Sequence, residues 1–82
     1  MSIKYLTPVE YEVIECIDDY IKKNGISPTY REICTILKRN STATIHKHIS
    51  SLKRKGYISM IDASPRSIRI ISEYSEDEVK HI

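Results

Sequence analysis

Hydroxyl, imidazole and ammonium side chains follow one another in residues 41–58, and together they could donate hydrogen bonds to nucleic-acid bases and phosphates. Ile45, Ile49 and Leu52 recur at i, i+4 and i+7, which predicts one apolar stripe of an α-helix. The opposite face of that helix is small at its start and cationic further on. Such a face suits a DNA groove, where small side chains approach bases and cations meet phosphates. An ordinary solvated helix face is the alternative.

The charge of the chain is segregated, although its formal total is only +2. Residues 1–37 carry a net −2, residues 38–69 carry +7, and residues 70–82 carry −3. A cationic middle between two acidic flanks indicates a polyanionic partner. Anionic membrane fits less well, because no segment combines a basic face with Trp, Phe or Leu anchors.

The length of 82 residues provides one small domain. No stretch reaches the apolar length of a membrane span, and the first residues lack the hydrophobic run of a signal peptide. We therefore expect a cytoplasmic, nucleoid-associated protein. Cys16 and Cys34 form no C-x-x-C pair and lie beside core positions. Buried free thiols are favoured over a disulfide or a redox switch.

Two capping boxes predict where the first two helices begin. Thr7 and Glu10 flank the first start, with Pro8 at the first helical position, and that helix ends at 24–25, where Asn is followed by Gly. Thr29 and Glu32 repeat the capping pattern. We expect the second helix to be short and buried through its apolar positions, which are Ile33, Ile36 and Leu37.

A tight turn and a change of period complete the predicted fold. Three residues separate the second helix from Ser41, the expected cap of the third, which indicates a helix-turn-helix. Residues 57–61 and 67–71 alternate as strands around a turn at 62–66, and pairing Met60 with Ile68 places Ile58 opposite Ile70. The fold class is therefore mainly α with a small β-hairpin, a winged helix-turn-helix of three helices and a two-stranded wing.

Four motifs resemble the DNA-binding domain of LexA: T-P at 7–8, N-G-I-S-P-T-Y-R-E-I at 24–33, S-T-A-T-I-H-K-H-I at 41–49 and K-G-Y-I at 55–58. The resemblance covers roughly residues 6–71, and its most specific part is the N-G-x-x-P-T-x-R-E-I motif. Members of the LexA family repress genes of the DNA-damage (SOS) response. The resemblance therefore implies a sequence-specific repressor module that binds double-stranded DNA.

The resemblance also implies roles for individual residues. The first half of the third helix reads base edges in the major groove, and the matching positions are Ser41, Ala43, Thr44, His46 and Lys47. Contacts to the DNA backbone are assigned to cations between the second and third helices, at the end of the third helix and at the wing tip. The first backbone amides of the second helix are assigned to another phosphate. These positions are Lys38, Arg39, Lys53, Arg54, Arg66, Tyr30 and Arg31.

Each of these assignments has an alternative. Lys53, Arg54 and Lys55 could be solubilising charge near a helix end, and Arg66 could be a loop residue without a DNA contact. His46 and His48 point to different sides of a helix, and without Cys or carboxylate ligands nearby we expect no metal site and no cofactor. His48 lies near the apolar stripe, which favours a packed histidine over a base contact.

The sequence departs from the family in two places. Lys38 and Arg39 stand where the family usually has Gly and an apolar residue, which leaves the turn geometry open unless Asn40 takes the left-handed conformation. The self-cleaving Ser/Lys peptidase domain of the family is not represented in the 82 residues. We therefore expect no enzyme.

The sequence supports two candidate functions and divides into two segments. The leading function is the repressor module, as a weak dimer on an inverted repeat. The alternative is a winged-helix protein-interaction factor of a phage or mobile element that pairs with a host regulator. Residues 1–71 form the predicted domain, and residues 72–82 form a short acidic tail or linker, which is solvated or uses Tyr74, Val79 and Ile82 for a partner contact.

Overall fold

The structure is a computed structural model that describes residues 5–61, 64 and 66–79. Its elements follow the order α1 (Pro8–Asn24), α2 (Tyr30–Leu37), α3 (Thr42–Arg54), β1 (Ile58–Ser59), β2 (Arg69–Ile70) and a 3-10 turn at Glu76–Glu78. The two strands pair antiparallel in a two-stranded sheet. The predicted winged helix-turn-helix is confirmed.

Both predicted capping boxes are present. Thr7 accepts a hydrogen bond from the Glu10 amide at 3.2 Å, and the Glu10 carboxylate accepts one from the Thr7 amide at 2.9 Å. Thr29 and Glu32 repeat this exchange at the start of α2. Helix α1 ends at Gly25, whose φ of 73° suits a residue without Cβ.

Helix α2 differs from the sequence prediction in one buried position. Ile33 is fully buried, but Ile36 is 50% exposed and Cys34 lies in the core instead. The buried face of this eight-residue helix consists of Ile33 and Cys34, and Leu37 packs against the core while only partly buried. Cys16 and Cys34 are both buried free thiols, as predicted.

The turn between α2 and α3 settles the question that the missing glycine left open. Lys38 itself adopts the left-handed conformation, with φ 55° and ψ 43°. The Arg39 amide then donates to the Cys34 carbonyl at 2.9 Å, which closes the end of α2. The side chain of Ser41 caps α3 by accepting from the Thr44 amide at 3.4 Å.

The hairpin has the predicted register but shorter strands. Ile58 pairs with Ile70 and Ser59 with Arg69, whereas the sequence predicted strands over 57–61 and 67–71. The Ile61 amide and carbonyl bond the Ser67 hydroxyl instead of a strand partner. Three residues of the predicted turn, 62, 63 and 65, lie outside the described residues.

The core is formed by side chains of the three helices, of Leu6 before α1, and of residues 57, 58 and 68 in and beside the hairpin. It comprises Leu6, Val13, Ile14, Cys16, Ile17, Ile33, Cys34, Ile45, Ile49, Leu52, Tyr57, Ile58 and Ile68. Burial of the stripe at 45, 49 and 52 fixes which face of α3 is left for solvent. Among the described residues, no helix is long and apolar enough to cross a membrane.

Residues 72–79 pack against α1. The Tyr74 hydroxyl donates to Asp18 at 2.8 Å, and its ring meets Tyr11 edge to face at 5.8 Å. Val79 pairs with Leu6 in a parallel bridge. The division of the chain at residue 71 stays a prediction, but this segment is not wholly solvated. Ile82, the third apolar residue predicted for a partner contact, lies outside the described residues.

Candidate nucleic-acid interface

The exposed face of α3 carries every residue that the sequence assigned to base reading. Opposite the buried stripe, the face begins with small hydroxyl and methyl groups and continues into longer polar side chains. Its exposed members are Ser41, Ala43, Thr44, His46, Lys47 and Ser50. The order from small to cationic along this face matches what a helix needs when its start lies deepest in a groove.

His46 is held by an aromatic neighbour at the start of α2. Its ring packs edge to face against Tyr30, with centroids 5.4 Å apart and planes at 84°. The Tyr30 hydroxyl lies 3.4 Å from the sulfur of Met60, the residue that follows β1. Tyr30 therefore ties α2, α3 and the wing together beside the predicted base-reading surface.

An open groove of ≈ 420 Å³ lies between α3, the start of α2 and the wing. Its walls combine an imidazole, a hydroxyl and two exposed cations with apolar surface from a thioether and a ring. The lining residues are Tyr30, His46, Ser50, Lys53, Arg54 and Met60. The helical period already placed Ser50 opposite the apolar stripe. Met60 was not predicted, because a methionine just after a short strand carries no pattern that indicates this position.

The two cations of the α2–α3 turn are both exposed, but one of them has an intramolecular partner. The Arg39 guanidinium lies 3.1 Å from the Glu12 carboxylate of α1, and both side chains remain substantially open to solvent. An exposed pair of this kind contributes little to stability and leaves the cation available to a phosphate. Lys38 lies beside it at the end of α2.

The start of α2 presents the amides of Tyr30 and Arg31 in the first helical turn, next to a carboxylate that strongly favours its charged form. The Thr29 amide and the Arg66 guanidinium, with a weaker contribution from the Tyr20 hydroxyl, lower the pKa of Glu32 to about 2. The Glu32 charge therefore stands within one turn of the two amides that were assigned to a phosphate.

Arg66 lies elsewhere than the sequence suggested. Its guanidinium binds both oxygens of Glu32, at 3.0 and 3.1 Å, and also donates to the Ser27 carbonyl at 3.0 Å. The side chain therefore folds back onto the α2 start and fastens the wing to it. The DNA-backbone assignment of Arg66 stays a prediction, and the observed contacts give this residue a structural role.

Lys55 differs from the two preceding cations in the direction of its side chain. Lys53 and Arg54 are exposed, whereas the Lys55 ammonium lies 2.5 Å from Glu10 and 4.3 Å from the centroid of the Tyr5 ring. The run at 53–55 is therefore divided into an outward-facing pair and one inward-facing residue. Nothing in the run of three like charges predicts this division.

Within residues 5–61, 64 and 66–79, no group of three or more His, Cys, Asp or Glu side chains converges as metal ligands would. His48 is half-buried next to the stripe of α3, as the sequence indicated.

Residues 3–67 match the family model of the LexA DNA binding domain. The chain belongs to the LexA DNA binding domain family. It is 33% identical over all 82 residues to the LexA repressor of Carboxydothermus hydrogenoformans and covers 40% of that protein.

Two further relatives agree. The chain is 40% identical over 70 residues to the LexA repressor of Caldicellulosiruptor saccharolyticus, a match with 85% of this chain and 35% of that protein. It is 37% identical over 73 residues to the LexA repressor of Lactobacillus acidophilus, with 89% and 35% covered. The chain thus spans between 35% and 40% of the length of these LexA repressors.

Proposed function

We propose that this chain is a sequence-specific module of a transcriptional repressor that binds double-stranded DNA with α3 in the major groove. The observation that carries the proposal is the exposed face of α3, small at its start and cationic at its end, on a member of the LexA DNA binding domain family. Control of DNA-damage response genes belongs to the same proposal. The alternative role, as a factor that pairs with a host regulator, gains no support from the relatives, which are LexA repressors.

The base readers in this proposal are the residues on the first two turns of α3. Lys47 would donate to guanine O6 or N7, His46 to a purine N7, and the Thr44 methyl would meet a thymine methyl. Ser41 and Ala43 let the helix start approach the bases closely. The edge-to-face contact with Tyr30 supports the role of His46, because it restricts the imidazole before DNA arrives.

Backbone contacts are proposed for the surrounding cations and amides. Lys53 and Arg54 line the groove beside α3, Lys38 and Arg39 lie at the other end of the recognition surface, and the first turn of α2 offers backbone amides at Tyr30 and Arg31. These groups would fix the orientation of α3 without reading sequence. We infer that the described residues act by binding and not by catalysis.

Selection of bound duplexes from a random pool tests this function. We expect the selected sequences to converge on one half-site, present twice as an inverted repeat when two copies bind. Equal affinity for selected and random duplexes at physiological salt would contradict base reading by α3. Failure to bind any duplex at low salt, together with capture of a host regulator, would favour the alternative.

Two single substitutions separate base readers from backbone contacts. We expect Lys47→Ala to relax the preference at one base pair by roughly 1–3 kcal/mol, because one specific donor is lost. Lys53→Ala should weaken binding to all duplexes and reduce the slope of log affinity against log salt by about one unit. Titrations at several salt concentrations with selected and scrambled duplexes measure both effects. Equal losses on both duplexes for Lys47→Ala would remove it from the base readers.

A further inference from the structure

We propose that Glu10, on α1, is a positioning residue for DNA recognition, because its carboxylate clamps the end of α3 and thereby sets how the base-reading face is presented. The inference rests on the proposed function. It concerns a residue that makes no contact with DNA in that proposal and that the sequence accounts for fully as a helix cap.

The Glu10 side chain joins the start of α1 to the end of α3. One oxygen accepts from the Thr7 amide at 2.9 Å and from the Lys55 ammonium at 2.5 Å. The other accepts from the Ser51 hydroxyl at 2.5 Å. The carboxylate side chain is 4% exposed, and that of Lys55 is 19% exposed. Both oxygens of a buried anion therefore have donors, and two of the three donors lie at the end of α3: Ser51 in its last turn and Lys55 at its C-cap.

The spacing of the two donors at the end of α3 gives the clamp its directional effect. Ser51 and Lys55 are four residues apart and lie on the same side of the helix, one turn after the other. A helix advances ~1.5 Å and turns ~100° per residue, so a slip of one residue removes both donors from the carboxylate. The clamp thus opposes both sliding and rotation of α3 against α1.

The clamp acts close to the proposed base readers. Lys47 precedes Ser51 by four residues on α3, so one helical turn separates the clamp from this base reader. The apolar stripe alone permits small rotations of α3 about its own axis relative to α1, because branched aliphatic side chains pack without a directional bond. Hydrogen bonds to a buried carboxylate restrict the angle, since misaligned partners leave an uncompensated charge in the interior.

Lys55 is held on its other side by Tyr5, with its ammonium 4.3 Å from the ring centroid. The pairing with Glu10 also removes Lys55 from the cations that would meet phosphates. Loss of the clamp would therefore add a free cation while loosening α3, and this combination separates a positioning role from a simple loss of fold.

Glu10→Gln is the central test, because glutamine retains the capping box while the negative charge that holds Lys55 is lost. We expect discrimination between the selected duplex and one altered at the base pair read by Lys47 to fall about fivefold or more. Affinity for scrambled duplex should stay the same or increase, since Lys55 becomes available. Asp19→Asn is the matched control, because it removes one exposed carboxylate from the same helix. Wild-type discrimination in a folded Glu10→Gln would overturn the inference.

A readout without DNA keeps this inference distinct from the proposed function. Residual dipolar couplings of backbone amides report the orientation of α3 relative to α1 in the free protein. We expect altered or averaged α3 couplings in Glu10→Gln and wild-type couplings in Asp19→Asn. If the wild-type chain shows no base preference, the proposed function fails, and unchanged α3 couplings in Glu10→Gln would still overturn the clamp.

Two milder variants apply if Glu10→Gln does not fold. Ser51→Ala removes one α3 donor and leaves the ion pair intact, so a partial loss of discrimination is expected. Lys55→Arg keeps a cation beside Glu10 and should restore at least half of the discrimination that Lys55→Met loses. Equal fractional loss of specific and scrambled binding in all these variants would indicate a merely structural role and overturn the inference.

Discussion

Lys38, at the end of α2, adopts a left-handed backbone conformation with φ 55°. This conformation is unfavourable for residues that have a Cβ atom. We expect Lys38→Gly to raise the free energy of unfolding by about 1 kcal/mol, because glycine relieves the left-handed strain. For a domain of this size the thermal midpoint should rise by ~4–8 °C. Thermal and urea denaturation measure the change.

Lys38→Ala is the control for that gain. It removes the same ammonium group but keeps the Cβ atom, so we expect no stabilisation. Both variants should weaken binding to all duplexes if Lys38 meets a phosphate. A Lys38→Gly protein no more stable than Lys38→Ala would show that the turn does not hold strain at this position.

Glu32 should make stability depend on pH in the acidic range. Its pKa is about 2 in the folded chain against an ordinary value of 4.5, because the Thr29 amide, Arg66 and Tyr20 favour the carboxylate. A lowered folded-state pKa contributes stability that is present above 4.5 and lost as the pH falls toward about 2. We expect Glu32→Gln to lose less stability than wild type over this window in urea titrations at each pH. Parallel curves for the two proteins would contradict this role of Glu32.

At the scale of elements, local signals predicted the starts of all three helices and the pairing of the hairpin. Capping residues and the alternation of apolar side chains act over a few residues, so the sequence displays them directly. The strand lengths and the exposure of Ile36 could not be predicted in this way. Both depend on how much surface the neighbouring elements cover, which is a property of packing.

The segment after β2 is bonded to residues before α1 and after α3, and truncation tests what these bonds contribute to stability. The Glu78 carbonyl accepts from the Leu6 amide at 2.8 Å, and its carboxylate accepts from the Tyr57 hydroxyl at 2.5 Å. Removal of residues 72–82 should lower the free energy of unfolding by about 2 kcal/mol, since two partly buried apolar side chains are lost with these bonds.

Glu73→Gln is the matched control for the truncation, because its exposed side chain lies in the same segment. We expect this substitution to leave the urea midpoint unchanged. If residues 1–71 alone unfold at the wild-type midpoint, residues 72–79 contribute no net stability. That result would favour the sequence prediction of a solvated tail over a stabilising segment.

At the scale of the whole molecule, the proposed inverted repeat makes the spacing of half-sites a geometric test. Two copies bound as a weak dimer should lie on one side of the duplex, at a fixed separation. Insertion of about five base pairs, half a helical turn, should abolish cooperative binding, whereas about ten should restore part of it. Mobility-shift titrations measure the cooperativity, with a single half-site as the control. Cooperativity that does not depend on spacing would exclude the dimer.

The candidate site was predictable where it depends on α3 alone and not where it depends on partners from distant parts of the chain. The exposed positions of the base-reading face follow from the helical period around the buried stripe. The capture of Lys55 by Glu10, 45 residues away, and of Arg66 by Glu32, 34 residues away, follows from tertiary folding. The net charge includes Lys55 and Arg66 in the same way as Lys53 and Arg54. In the structure, however, Lys55 and Arg66 bind carboxylates of the chain, whereas Lys53 and Arg54 face the groove beside α3.

Carboxylates are collected on α1 and on the segment that packs against it, while the exposed cations of residues 38–54 lie on α3 and the turn before it. Lys22 and Lys23 offset part of the α1 charge, but the remaining separation of negative and positive charge gives the molecule a torque in the field of a polyanion. It can therefore be turned toward the duplex during its approach, before any contact forms. We expect this pre-alignment to enlarge the fraction of collisions that are productive, most strongly at low ionic strength, where the field extends furthest from the phosphates.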